Sequence, residues 1–324
     1  MGGGLARALG ALRPHPHRGD IVAAGAVVLA AALLMVDVRM GETWSDGVLF
    51  AFLAVGAALV LAMGLLAPSE GPDPRAYQSI LLLAGIALSA AALARLALAL
   101  GADTVASPGA LTWVSAAVTA LAVLAAVRAN SAVCTLVAAV AGSVTLLAFV
   151  QWVFAPESVA TFRWILIALV TGFVAGLAYL RERHRRHAVM LVDAAGLALI
   201  TLAVSFADIT GVFGGAVGEP SVSFDAGFGW ELVLLFGAFG LIAFAAADGE
   251  RGPGYLGAVL LALAILVLAT PDDAATLVGW PLFLLVVGIA GVAFGLRPRT
   301  PLPPPPDAAS GEAETRPMPP PRSL

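Results

Sequence analysis

The chain contains no lysine; all 17 of its basic residues are arginine. That removes lysine Schiff-base chemistry and a phosphate-binding P-loop lysine together. There is one cysteine, Cys134, and it lies in an apolar run. A lone thiol forms neither an intrachain disulfide nor a zinc cluster. Charge itself is scarce, at 12% of residues, where a soluble domain carries about 25%. This is too little polar surface to wrap 324 residues as a water-soluble globule. No HExxH, GxSxG or P-loop signature is present, and no glycine grouping has the strand–turn–helix context of a dinucleotide fingerprint. No repeat of short fixed period appears. The residues therefore imply no cofactor, no metal and no recognisable catalytic constellation.

What the chain has is apolar length. It is 60% hydrophobic with a mean hydropathy of +0.97. Crossing the hydrocarbon core takes roughly 20 apolar residues. Ten runs qualify: 21–37, 47–67, 78–100, 108–127, 132–155, 161–180, 188–206, 229–247, 254–270 and 277–296. Backbone surrounded by hydrocarbon must satisfy its own hydrogen bonds, so these runs read as helices. The expected fold is an all-α polytopic transmembrane bundle. It divides into a segment 1–20, a ten-helix domain 21–296 and a tail 297–324. The first run could instead be a signal peptide; an uncleaved span is favoured because no clear cleavage site precedes Asp37. The tail holds 10 of the 21 prolines and should be disordered with polyproline II character. Its PLPPPP stretch could engage a proline-recognising protein partner; a solvated tail is the plainer reading.

Arginine sets the orientation. With ten spans, fourteen arginines fall on one side and two, Arg39 and Arg163, on the other; Arg95 lies within a span. The positive-inside bias then places both termini in the cytoplasm of a bacterial inner membrane. Aromatics sort independently of charge. All six tryptophans fall toward the outer rim and all three tyrosines toward the inner one, at the headgroup layers that such rings prefer. The stretch RERHRRH, 181–187, is thus first an orientation device, in contact with membrane lipids. His184 and His187 have H-x-x-H spacing, but no third ligand is in view and the arginines repel a metal cation. One short basic loop without a folded module is also a weak footprint for nucleic acid.

Two ionisable residues sit inside spans, where they are costly. Asp193 reads as an inner-rim partner of Arg185 or Arg186, or as a proton or cation relay. Arg95, in span three, has Ala91, Ala92 and Ala99 around it, a small face suited to helix packing. It should point into the bundle toward an acid near the outer surface. Asp208 and Glu231, at the outer ends of spans seven and eight, and Asp103, after span three, lie at matching depth. Arg95, Asp208 and Glu231 form the expected ligand-binding set. Gly172 with Gly176, and Gly291 with Gly295, are spaced for helix packing. The outer loop 207–228 could be a lid or a plain surface loop. Asp272 and Asp273 supply too few oxygens for a calcium cage.

The last span, GWPLFLLVVGIAGVAFGLRPR, with its proline-rich sequel resembles the closing segment of uncharacterised multi-pass bacterial inner-membrane proteins. Separately, ten spans with both ends inside is similar to the drug/metabolite transporter superfamily. That resemblance implies two five-helix halves of opposite orientation and a midplane substrate site. Three functions follow as expectations. The first is a non-enzymatic structural, assembly or sensing protein; the second is a small-molecule transporter; the third is a lipid-modifying membrane enzyme.

Overall fold

The structure, a computed structural model, describes residue 14, residues 18–68, 74–156, 158–206 and 226–268, and five residues between 282 and 289. Among the described residues there are nine helices: α1 (Gly19–Met40), α2 (Asp46–Leu66), α3 (Ala76–Ala99), α4 (Pro108–Ala129), α5 (Ala132–Phe154), α6 (Val159–Leu180), α7 (Arg185–Val204), α8 (Phe228–Asp248) and α9 (Arg251–Leu268). All nine are long and apolar enough to cross a membrane. At about 1.5 Å per residue, 18 to 24 residues give roughly 27 to 36 Å, which matches a hydrocarbon core of about 30 Å. Over its described residues the chain is an all-helical multi-pass membrane protein.

The nine helices coincide with the first nine expected spans, with ends displaced by a few residues. The run 277–296 lies mostly outside the described residues; within it Leu282, Leu285, Val286, Gly288 and Ile289 are helical. The tail 297–324, Asp208 and the rest of 207–225, Asp272, Asp273, Gly291 and Gly295 also lie outside them.

Local sequence explains where helices start and stop. Pro108 occupies the first turn of α4, where a missing N–H costs nothing. The Ser158 hydroxyl caps α6 by accepting from the Ala160 N–H at 3.2 Å. Three helices end on left-handed residues: α4 on Asn130 (φ 50°), α5 on Ala155 (φ 41°) and α8 on Gly249 (φ 73°).

Two helices organise the packing. Helix α3 lies against α1, α2 and α4, and α7 lies against α5, α6, α8 and α9. In the most apolar stretch of α7, 61% of residues are buried, against 6% for α6. Small residues allow this closeness. Ala194, Ala195, Gly196 and Ala198 of α7 sit in the interior. A Cβ on Gly85 of α3 would stand 2.6 Å from Leu61 of α2. Of the glycines expected to pack helices, Gly176 does so: its Cβ would meet Leu191 of α7 at 2.8 Å. Gly172, one turn earlier, faces open space.

Candidate functional site

Arg95 sits in the last two turns of α3, at the rim where the chain turns from α1 into α2. Its Nε donates to Asp37 Oδ1 at 2.7 Å, its Nη1 to Asp46 Oδ1 at 3.0 Å and its Nη2 to the Asp37 carbonyl at 3.1 Å. The geometry follows from the local fold. Asp37 belongs to the last turn of α1, Asp46 opens α2, and five residues join the two helices. Both acids therefore reach the same rim, and α3 packs on both of their helices. Gly41 leaves room for the guanidinium, since a Cβ there would lie 2.9 Å from Arg95 Nη2.

The expected partners are corrected accordingly. Arg95 points into the bundle and meets acids, but they are Asp37 and Asp46. Glu231 lies in the first turn of α8, which packs on α7 and α9. Asp208 is outside the described residues. A signal for the true pair was available: consecutive helices tend to be neighbours, and a short turn puts Asp37 and Asp46 at one end.

A second cation clamp lies at the same kind of helix end in the α6–α8 group. Arg163 of α6 donates from Nε to the Ser205 hydroxyl at 3.2 Å and from Nη2 to the Ser205 carbonyl at 2.8 Å. Its guanidinium carbon stands 3.7 Å over the Phe206 ring. Phe206 and Trp164 both meet Trp230, at 5.8 and 5.2 Å between ring centres.

At the opposite helix ends, the basic stretch 181–187 splits its work. Arg181 Nη2 donates to Asp248 Oδ1 at 3.0 Å, and Arg185 Nη2 donates to the Asp248 carbonyl at 3.0 Å. Both tie to the end of α8, where cations also complement the helix dipole. His187 turns the other way. Its Nε2 meets Asn130 Oδ1 at 3.0 Å, and its Nδ1 meets the Thr135 hydroxyl. Asn130 Oδ1 can only accept, so Nε2 carries the proton and Nδ1 receives the Thr135 hydroxyl. Among the described residues no group of three metal-ligating side chains forms.

Asp193 is housed differently from every arginine described above. It is 7% exposed, and its Oδ1 has no hydrogen-bond partner. Neither expected partner holds it: Arg185 is committed to Asp248, and no ion pair to Asp193 occurs among the described residues. The reason is distance along α7. Residue 193 stands eight residues beyond 185, about 12 Å deeper. Instead the carboxylate abuts the first turn of α9, where a Cβ on Gly252 would lie 2.9 Å from both oxygens.

Among the described residues, cavities open at this rim. One, of about 620 Å³, lies between the starts of α3, α5 and α7 and is lined in part by Ser79, Arg186, Val189, Met190 and Glu250. Val189 and Met190 precede Asp193 by four and three residues, so they share its side of α7. Another, of about 340 Å³, lies between the ends of α4 and α6 and the starts of α5 and α7.

Compared with protein families, curated proteins and solved structures, the chain finds no match.

Proposed function

We propose that the chain is a non-enzymatic protein of the bacterial inner membrane with a structural, assembly or sensing role and both termini in the cytoplasm. One observation carries the reading: four arginines at the rims join the protein's own helices. Arg95 ties α3 to α1 and α2, Arg163 ties α6 to the end of α7, and Arg181 and Arg185 tie their loop to the end of α8. Such clamps fit a scaffold whose shape is its purpose. The orientation is tested with alkaline phosphatase fusions, expected to be active after residue 105 and silent after residue 184.

A second reading, a small-molecule transporter, is favoured by Asp193. A buried carboxylate oxygen without a partner, one helical turn from residues lining an inner cavity, is what a proton or cation relay requires. This support is independent of the inverted five-helix repeat, which would make α3 and α8 equivalent; the enclosed helices are α3 and α7.

One experiment separates the two. The full chain is reconstituted in sealed liposomes with an internal pH dye, and a membrane potential is imposed. Amino acids, amines and organic acids are then added in turn. The scaffold reading expects traces matching empty liposomes. A proton flux that Asp193→Asn abolishes would replace it with the transporter reading.

A further inference from the structure

The packing divides at α5. Every substantial contact among the described helices lies within α1–α5 or within α5–α9, and no helix before α5 packs substantially on one after it. The two groups follow one plan, displaced by four helices. In the first, α3 packs on α1, α2, α4 and α5; in the second, α7 packs on α5, α6, α8 and α9. One contact repeats in detail. Gly64 near the end of α2 leaves room for Leu82, the seventh residue of α3, and Gly176 near the end of α6 leaves room for Leu191, the seventh residue of α7. A Cβ would stand 2.9 and 2.8 Å from those leucines. Each group is also pinned inside itself, by Arg95 to Asp37 and Asp46 in the first and by Arg163 to Ser205 in the second.

The seam between the groups is therefore α5 with a gap on either side. The cavity of about 620 Å³ separates α3 from α7, and its walls include Ile80, Leu83, Val189 and Met190. The groove of about 340 Å³ separates α4 from α6, and its walls include Val127 and Leu180. On α5, Val133 lines the cavity while Thr135 and Ala138 line the groove. At about 100° of rotation per residue, those positions stand on different sides of the helix. Helix α5 is itself lightly held. In its most apolar stretch 11% of residues are buried, against 44% in α3 and 61% in α7. Two units joined through a small interface move relative to each other by default. On the groove side, His187 of α7 bonds to Asn130 at the end of α4 and to Thr135 of α5, which ties the second group to the first.

We infer that α5 is a hinge about which α1–α4 and α6–α9 rock, so that the cavity narrows as the groove widens, with His187 latching the form described here. The reciprocity follows from two gaps on different sides of one axis. A rotation that brings α3 toward α7 carries α4 away from α6. The cavity can narrow without stranding polar groups, because its walls between α3 and α7 are aliphatic and the Ser79 hydroxyl already meets that of Ser131 at 3.3 Å. Arg186 and Glu250, which also line it, stand at the start of α7 and between α8 and α9, at the rim. The hinge goes beyond both readings above: a sensing protein and a transporter alike need a joint between rigid parts, and a purely structural scaffold needs none.

The test measures distances between paired spin labels on the full chain in lipid nanodiscs, by double electron–electron resonance, with Cys134→Ala as the background. Ile80→Cys with Met190→Cys spans the cavity, and Val127→Cys with Leu180→Cys spans the groove. Val38→Cys with Val48→Cys lies within the first group. The within-group pair should give one narrow distance in every variant, which also shows that the variant is folded. Each pair across the seam should give two. His187→Ala removes the latch and should raise the ratio of the narrowed-cavity form to the form described here about fivefold, the worth of one ordinary hydrogen bond. The groove distance should lengthen in step. Asn130→Ala releases the latch from its other side and should move both pairs in the same sense. Cross-seam distances as narrow as the within-group one, and unmoved by either variant, would overturn the hinge and make the two groups one rigid body. Cavity and groove distances that lengthen together would sink the rocking motion, because the groups would then be parting.

Discussion

Arg95 and Asp193 are both charges inside spans, and the molecule treats them in opposite ways. Arg95 has three acceptors, all from α1 and α2, within 3.1 Å. Asp193 has a buried oxygen with none. Side-chain length explains part of the contrast. A guanidinium on a long stem can reach the rim, where helix ends offer carboxylates and carbonyls. An aspartate on a short stem must wait for neighbours to come to it, and α9 brings Gly252, which has no side chain to offer. The difference separates two kinds of intramembrane charge. One is held by the fold and supports it; the other is held in spite of its cost, as groups kept for chemistry or switching are.

The largest expected effect comes from breaking the supported charge. Arg95→Ala leaves Asp37 and Asp46 beside each other with no cation between them. Removing one partner of a fully buried pair costs about 3–5 kcal/mol; this clamp is partly buried, so a loss of up to about 3 kcal/mol is expected. Asp37 is 16% and Asp46 is 35% exposed, so Asp37→Asn should cost more than Asp46→Asn. Thermal unfolding of the purified chain in detergent reads all three. An Arg95→Ala midpoint equal to wild type would remove the clamp from the account and with it one side of the comparison.

The spans were legible because an apolar run of this length needs no tertiary information. The partners of Arg95 were not legible in hydropathy, which says how deep a residue sits and nothing about which helices touch; only the shortness of the α1–α2 turn hinted at them. Depth alone admitted Asp208, Glu231 and Asp103 equally. Only the packing of α3 on the α1–α2 turn chose Asp37 and Asp46. The glycines tell the same story. Gly172 and Gly176 share a spacing pattern, yet only Gly176 meets a neighbour at close range. Gly85 and Gly56, among the tightest glycine contacts, belong to no such pattern, with Gly56 fitting against Leu33 where a Cβ would stand 2.3 Å away. Asp193 defeated the sequence for a related reason: Arg185 is near it in the chain but engaged with Asp248 across the bundle.

A middle-sized effect should appear at Gly252. Replacing a helical glycine with alanine usually stabilises by roughly 0.5–1 kcal/mol. Here the new methyl would press on both oxygens of a buried carboxylate. Overpacking of this kind costs about 1–3 kcal/mol, so Gly252→Ala should destabilise on balance. In an Asp193→Ala background the obstruction is gone, and the same change should stabilise. The double-mutant cycle is therefore expected to reverse sign, a coupling that only direct contact produces. Additive effects would mean that the carboxylate does not rest on α9.

The smallest effect is the most discriminating. Asp193→Asn keeps the side chain's shape and removes its capacity for negative charge. If Asp193 were a structural partner like Arg95, the change would weaken the fold, because an ion pair or charge-assisted hydrogen bond would be lost. With no ion pair and one unpartnered oxygen, there is little to lose and a desolvation cost to recover. Stability should stay equal to wild type or rise by up to about 1 kcal/mol. The asparagine also adds N–H donors, which can turn toward carbonyls that a carboxylate repels. A loss of more than about 1 kcal/mol would show that Asp193 supports the bundle after all, and the contrast with Arg95 would become one of degree. An unchanged or higher midpoint leaves Asp193 as a charge the fold does not need. Its presence in the interior of α7 would then have to be explained by what it does rather than by what it holds.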